Sequence, residues 1–105
     1  MRTHTSINII ESNFAECERL VESGQFDSLS DVVEHSMRVL YDSIKLDGSE
    51  LCYSPRGGPK VKQSVRVNGW LVDRFSELGM TGISEMADYS LSYYFRRINS
   101  SNEGL

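Results

Sequence analysis

The feature that most constrains this chain is a strand that runs directly into a helix, because the pattern occurs twice. Residues 5–14 read TSINIIESNF, and residues 63–72 read QSVRVNGWLV. In both, polar and apolar residues first alternate, as in a strand with one buried face, and the apolar spacing then changes to that of a helix. An isolated strand leaves its backbone N–H and C=O groups unpaired on both edges. The two segments are therefore predicted to pair with each other.

A second internal match extends the pattern into a repeat. SDVVEHSMRVL (30–40) matches SEMADYSLSYY (84–94), and both segments place apolar residues on one helical face. The two copies differ in length only between their helices, where VESGQFDS (21–28) is replaced by GMTG (79–82). Turns are where true repeats tolerate such changes.

Each copy predicts a strand, a helix, a turn and a second helix. The predicted strands are 4–10 and 62–68, and the predicted helices are 12–23, 29–45, 69–79 and 83–98. Gly24 and Gly79 suit the ends of the first helices, since glycine readily takes the left-handed conformation found there. Ser28 and Asp31 are spaced as a near capping box at the start of a helix, and Gly82 takes the same cap position in the second copy.

The domain organisation follows from the repeat. We predict a first unit at 1–45, a linker at 46–61, a second unit at 62–98 and a polar tail at 99–105. One unit is too small to bury its own apolar faces, whereas two units can share a core if their strands pair antiparallel and their helices interlock. The linker is long enough for this, because about sixteen residues can span roughly 50 Å. The expected fold is mainly α, with a short two-stranded antiparallel β-ribbon and the two units paired within one chain.

Composition limits the class of protein. The chain has 105 residues, 39% of them hydrophobic, and contains no long apolar run, so we expect neither a signal peptide nor a membrane span. Its two cysteines belong to no CxxC motif, which favours a reduced, cytoplasmic protein.

The charge distribution says more than the net charge of −4. Acidic residues are absent from 1–10 and from 51–72, and the second stretch carries Arg56, Lys60, Lys62 and Arg66. The two candidate strands are thus locally positive within an acidic chain, which suits an anionic partner. The alternative is that short strands simply disfavour aspartate and glutamate.

With these elements in place, the chain resembles the ribbon-helix-helix (MetJ/Arc/CopG-like) superfamily. The resemblance lies in THTSINI (3–9), VESGQF (21–26) and SLSDVVEHSMRVL (28–40), and the first unit is most similar to the N-terminal domains of ParD-type antitoxins. The second unit, 62–98, has weaker local identity in the same register. In this superfamily, paired strands enter the DNA major groove and the start of each second helix anchors phosphate.

The resemblance and the strand alternation together predict the contact residues. Ile7, Ile9, Val65 and Val67 are expected to face the core, so the neighbouring polar side chains point outwards. The predicted base-reading residues are His4, Ser6, Asn8, Lys62, Ser64 and Arg66, whose donors and acceptors suit base edges. The predicted phosphate-anchoring residues are Ser28, Leu29, Ser30, Gly82, Ile83 and Ser84. Solvated strand faces, and simple helix capping by Ser28, are the alternatives for the two sets.

The function expected from this resemblance is sequence-specific binding of double-stranded DNA, with a role as a transcriptional repressor. Because Asn8 and Arg66 are equivalent positions with different side chains, the site could be asymmetric. The alternatives are an antitoxin that binds a protein toxin, an accessory protein of plasmid transfer in the relaxosome, and a structural interaction module. The tail NSSNEGL (99–105) looks too short and polar to wrap around a toxin.

No catalytic or metal-binding arrangement is predicted. His4 and His35 lack neighbouring ligands at metal-binding spacing, and PRGGPK (55–60) lacks the order of a phosphate loop. We therefore expect no enzyme activity, no metal and no cofactor. The aromatic cluster Tyr89, Tyr93, Tyr94 and Phe95 could pack in the core, or its exposed members could mark a dimer surface. Self-association on adjacent DNA sites is a separate expectation, because one ribbon covers only a short stretch of DNA.

Overall fold

The computed structural model describes residues 2–47 and 58–103, and the side chains of 4–45 and 58–98. In chain order its elements are β1 (Arg2–Ile10), α1 (Glu11–Glu22), α2 (Leu29–Asp47), β2 (Lys60–Asn68), α3 (Gly69–Glu77) and α4 (Ile83–Glu103). The predicted class, mainly helical with a two-stranded antiparallel sheet, is confirmed.

The two strands pair with each other along their full length and form one two-stranded ribbon. β1 and β2 pair antiparallel with Ser6 opposite Ser64, and the ladder extends from Arg2 opposite Asn68 to Ile10 opposite Lys60. The alternation of the sequence is carried through the ladder: Ile7, Ile9, Val65 and Val67 lie on the inner face with Thr5 and Gln63, and the central residues of the outer face are polar.

The core lies between the inner face of the ribbon and all four helices. Ile7, Ile9, Val65 and Val67 are each at most 1% exposed, as their alternation with polar residues predicts. The helices contribute the other large buried side chains, among them Leu20, Val32, Met37, Leu71, Phe75, Met86 and Leu91. Side chains from 4–45 and from 58–98 pack together in this one cluster, so the core is shared between the two halves of the described chain.

The first helix of each copy ends as its glycine predicts. Gly24 and Gly79 have φ angles of 86° and 98°, in the left-handed region that favours glycine. After α1 the backbone N–H of Gln25 donates to the carbonyl of Leu20 at 3.1 Å. After α3 the N–H of Met80 donates to the carbonyl of Phe75 at 3.2 Å. These bonds satisfy carbonyls that the helix leaves free.

The long helices begin as predicted and extend further than predicted. Ser28 caps α2, because its Oγ accepts the N–H of Asp31 at 3.3 Å. The helix α2 continues to Asp47 and β2 begins at Lys60, so regular elements occupy both ends of the predicted linker, whose middle lies outside the described residues. The backbone of α4 is helical to Glu103, which takes up most of the predicted polar tail.

The described helices do not include a membrane-spanning segment. None of those within 2–47 and 58–103 combines the length and the apolar character that crossing a bilayer requires.

Candidate nucleic-acid interface

The six residues predicted to read bases form three cross-strand pairs on the outer face of the ribbon. Ser6 lies opposite Ser64 at the centre, with His4 opposite Arg66 on one side and Asn8 opposite Lys62 on the other. All six residues are exposed. From the first pair to the last the row is about 13 Å long, at roughly 3.3 Å per residue.

Both edges of the ribbon are bonded to the start of a long helix. The backbone N–H of Asn8 donates to Ser84 Oγ at 2.9 Å, and the N–H of Arg66 donates to Ser30 Oγ at 2.8 Å. Each serine is the second residue of its helix, α4 for Ser84 and α2 for Ser30. The two sets of predicted contact residues are thereby joined by direct hydrogen bonds.

A surface pocket of about 300 Å³ brings the two sets together at one end of the ribbon. It is lined by His4, Ser28, Ser30, Ser64, Val65 and Arg66. Three hydroxyls, a guanidinium and an imidazole share this small volume. Hydroxyl and guanidinium groups donate hydrogen bonds readily to anionic oxygens, so the pocket suits a phosphate oxygen.

The remaining residues predicted to anchor phosphate could do so only through their backbone N–H groups. The side chains of Leu29 and Ile83 are partly buried and pack against the core. Gly82 has no side chain, and its carbonyl accepts the N–H of Met86 at 3.0 Å. At these three positions the free N–H groups of the first helical turn are therefore what an anion would meet. Asp31 and Glu85 in the same turns oppose an anion.

The two ends of the ribbon differ chemically. One end carries the His4–Arg66 pair and lies beside the hydroxyls of Ser28 and Ser30. The other end carries Asn8 opposite Lys62, and the helix bonded to Asn8 begins after Gly82, which has no hydroxyl. The arrangement can therefore present different donor and acceptor patterns to the two halves of a ligand.

A buried polar cluster behind the ribbon was not predicted from the sequence. Asp88 on α4 is only 4% exposed, and its Oδ1 accepts the backbone N–H of Ile10 at 2.9 Å. Its Oδ2 has no hydrogen-bond partner and lies 4.0 Å from Lys60 Nζ. Nearby, Asn13 Nδ2 donates to Ser92 Oγ at 3.0 Å. The available signal was that Asn13 is a polar residue one turn before Cys17 on the apolar stripe of α1.

Burial sets the protonation chemistry of this cluster. It raises the pKa of the Asp88 carboxyl, an effect partly offset by the Ile10 N–H, by Asn13 and by the charge of Lys60.

Outside this cluster, burial raises the pKa of the Cys17 thiol to about 12, with neighbouring carboxylates adding to the shift. Because this thiol is fully buried and forms little thiolate, it packs in the core and is poorly suited to act as a nucleophile.

The part of the chain that the structure describes contains no group of three histidine, cysteine, aspartate or glutamate side chains placed to hold a metal ion.

Comparisons with known proteins do not assign the chain to a family: no protein-family model, curated protein or solved structure matches it. The candidate interface is thus defined by the ribbon, its polar pairs and the two helix starts beside it.

Proposed function

We propose that this chain is a tandem ribbon-helix-helix protein that binds double-stranded DNA sequence-specifically, by inserting its β-ribbon into the major groove. The observation that carries the proposal is the outer face of the ribbon, where six exposed polar side chains stand in three cross-strand pairs. A major groove about 12 Å wide admits a two-stranded ribbon. A protein bound in this way obstructs access to a promoter, so we propose a role as a transcriptional repressor.

The side chains of the ribbon have the chemistry of base readers. Arginine and lysine donate to the O6 and N7 atoms of guanine, and asparagine makes paired hydrogen bonds to adenine. We assign guanine contacts to Arg66 and Lys62 and an adenine contact to Asn8. The serines at the centre can donate or accept, so they suit several bases.

The internal symmetry supports the proposal that two units pair within one chain. The register is centred on Ser6 and Ser64, so the edge bonds at Asn8 and Arg66 occupy matching places. The long helices also match internally, because Ser36 and Ser90 each donate to the carbonyl four residues earlier, at 2.8 Å and 2.7 Å. A covalently linked pair would present one complete ribbon without a second copy of the chain.

The same pairing makes the proposed DNA site non-palindromic. Two identical units would place identical side chains on both sides of the centre, and a palindrome would follow. Here His4 opposite Arg66 faces one half of the site and Asn8 opposite Lys62 faces the other. We therefore propose a site with different base requirements in its two halves.

Selection of bound duplexes from a random pool tests the proposal. The expected result is one enriched motif without two-fold symmetry, whose binding is blocked when guanine N7 in the major groove is methylated. Minor-groove methylation of adenine N3 serves as the control and should have little effect. Recovery of no motif after repeated rounds would contradict sequence-specific binding.

A further inference from the structure

Two hydrogen bonds connect the helix starts to the residues with the sharpest predicted base preference. The edges of a two-stranded ribbon carry N–H groups that no third strand pairs. At Asn8 and Arg66 those groups are taken by Ser84 Oγ and Ser30 Oγ, at 2.9 Å and 2.8 Å. Each bond joins one helix to one reading position, α4 to Asn8 and α2 to Arg66.

We infer that Ser30 and Ser84 are positioning residues, each fixing the depth of one base-reading side chain relative to one helix start. The inference rests on the proposed function. A serine hydroxyl that accepts one N–H still has its own hydrogen to donate, and a phosphate oxygen at the helix start is a suitable acceptor. A phosphate held there would then be linked through one hydroxyl to the backbone of the residue that reads the base.

The energetic argument favours positioning over stability. Both bonds are exposed, so water can replace the serine oxygen when it is removed, and the folded state loses little. Recognition is less tolerant, because a binding group must be held within about 0.5 Å of its productive position. Loss of the hydroxyl should therefore weaken base discrimination more than it weakens the fold.

The two serines should act independently. Ser30 contacts the strand β2 and Ser84 contacts β1, so each governs a different half of the site. Removing the Ser30 hydroxyl should relax the binding preference at the base pair read by Arg66 and leave the preference at the base pair read by Asn8 unchanged. Removing the Ser84 hydroxyl should do the reverse. A general weakening of the fold would affect both halves together.

The test uses the full chain with Ser30→Ala and Ser84→Ala, each titrated against every single-base variant of the selected duplex. For each variant, the ratio of the affinities for the selected duplex and for the single-base variant should fall roughly threefold to tenfold at one base pair. This is the change expected from the loss of one hydrogen bond. Ser30→Thr and Ser84→Thr keep a hydroxyl and should restore discrimination. Ser76→Ala, at an exposed position on α3, is the matched control and should change nothing.

Amide hydrogen exchange supplies a readout that needs no DNA. The amides of Asn8 and Arg66 should be protected in the wild type, and each should lose protection only when its own serine is replaced by alanine. Unprotected amides in the wild type, or alanine variants that keep full base discrimination, would overturn the inference while leaving DNA binding intact. A wild type that discriminates no base pair would instead remove the proposed function, and the inference with it.

Discussion

The backbone N–H of Ile10 donates a 2.9 Å hydrogen bond to Oδ1 of Asp88, although the two residues are 78 positions apart in the sequence. Ile10 is the last residue of β1, and Asp88 lies in the second turn of α4. The bond therefore joins the end of the first strand to the last helix. It also places a carboxyl group where only 4% of the residue is exposed.

The first prediction concerns the pH dependence of stability. Because burial raises the pKa of Asp88, the folded chain binds this proton more tightly than the unfolded chain does. Protonation of Asp88 thus adds stability that is complete below the ordinary aspartate pKa of 3.8 and is lost as the pH rises through the higher folded-state pKa. Asp88→Asn stays neutral and lacks this loss.

Urea unfolding over a pH series measures the effect. The stability of the wild type, relative to that of Asp88→Asn, should fall as the pH rises from below 3.8 to neutrality. If plots of unfolding free energy against pH run parallel for the wild type and Asp88→Asn, burial does not shift the pKa of the Asp88 carboxyl.

The second prediction separates the two faces of the ribbon. Val67 is fully buried and its neighbour Arg66 is exposed. Val67→Asp should lower the free energy of unfolding by about 3–5 kcal/mol, since it buries a charge without a partner. Arg66→Ala should change it by less than about 0.5 kcal/mol. Chemical denaturation of both variants checks this, and equal effects would contradict the assigned faces.

The third prediction concerns the dependence of the two copies on each other. In the described chain β1 pairs with β2, and the core is built from both copies. Fragments 1–47 and 58–105 should each be poorly structured or self-associate, and mixing them should restore helical circular dichroism. Sedimentation gives their association state. A stable monomeric fold from either fragment alone would refute the interdependence.

The fourth prediction concerns the reactivity of Cys17. The side chain is fully buried and its pKa is about 12, so little thiolate forms near neutral pH. In a Cys52→Ser background, which leaves one thiol in the chain, alkylation should be negligible in the folded protein and rapid in denaturant. Fast alkylation without denaturant would mean that α1 does not pack as described.

Much of the fold was predictable because it depends on local periodicity. The alternation around Ile7 and Val65 decides which strand face is buried. The change to helical spacing predicts helix starts at residues 12 and 69, within one residue of the observed starts at Glu11 and Gly69. The left-handed glycines fixed the ends of α1 and α3 for the same local reason. The six outward residues followed from parity alone, although their role on DNA remains a prediction.

The rest depends on contacts between distant residues. The bonds from Asn8 to Ser84 and from Arg66 to Ser30 require the packing of helix against ribbon edge, which no local pattern encodes. The burial of Asp88 also depends on that packing, since its counterpart in the repeat, Glu34, is not buried. The extents of α2 and α4 were underestimated because intrinsic helix propensity is a weak signal of where a helix ends.

Replacing Arg66 and Asn8 one at a time tests the central claim most directly. Each of Arg66→Ala and Asn8→Ala is titrated against single-base variants of the selected duplex, with Arg19→Ala as an exposed control that removes the same charge from α1. Each ribbon change should cost about 1–3 kcal/mol and relax preference at one base pair, a different one for each residue. If both variants discriminate every base pair as the wild type does, the ribbon is not the reading surface.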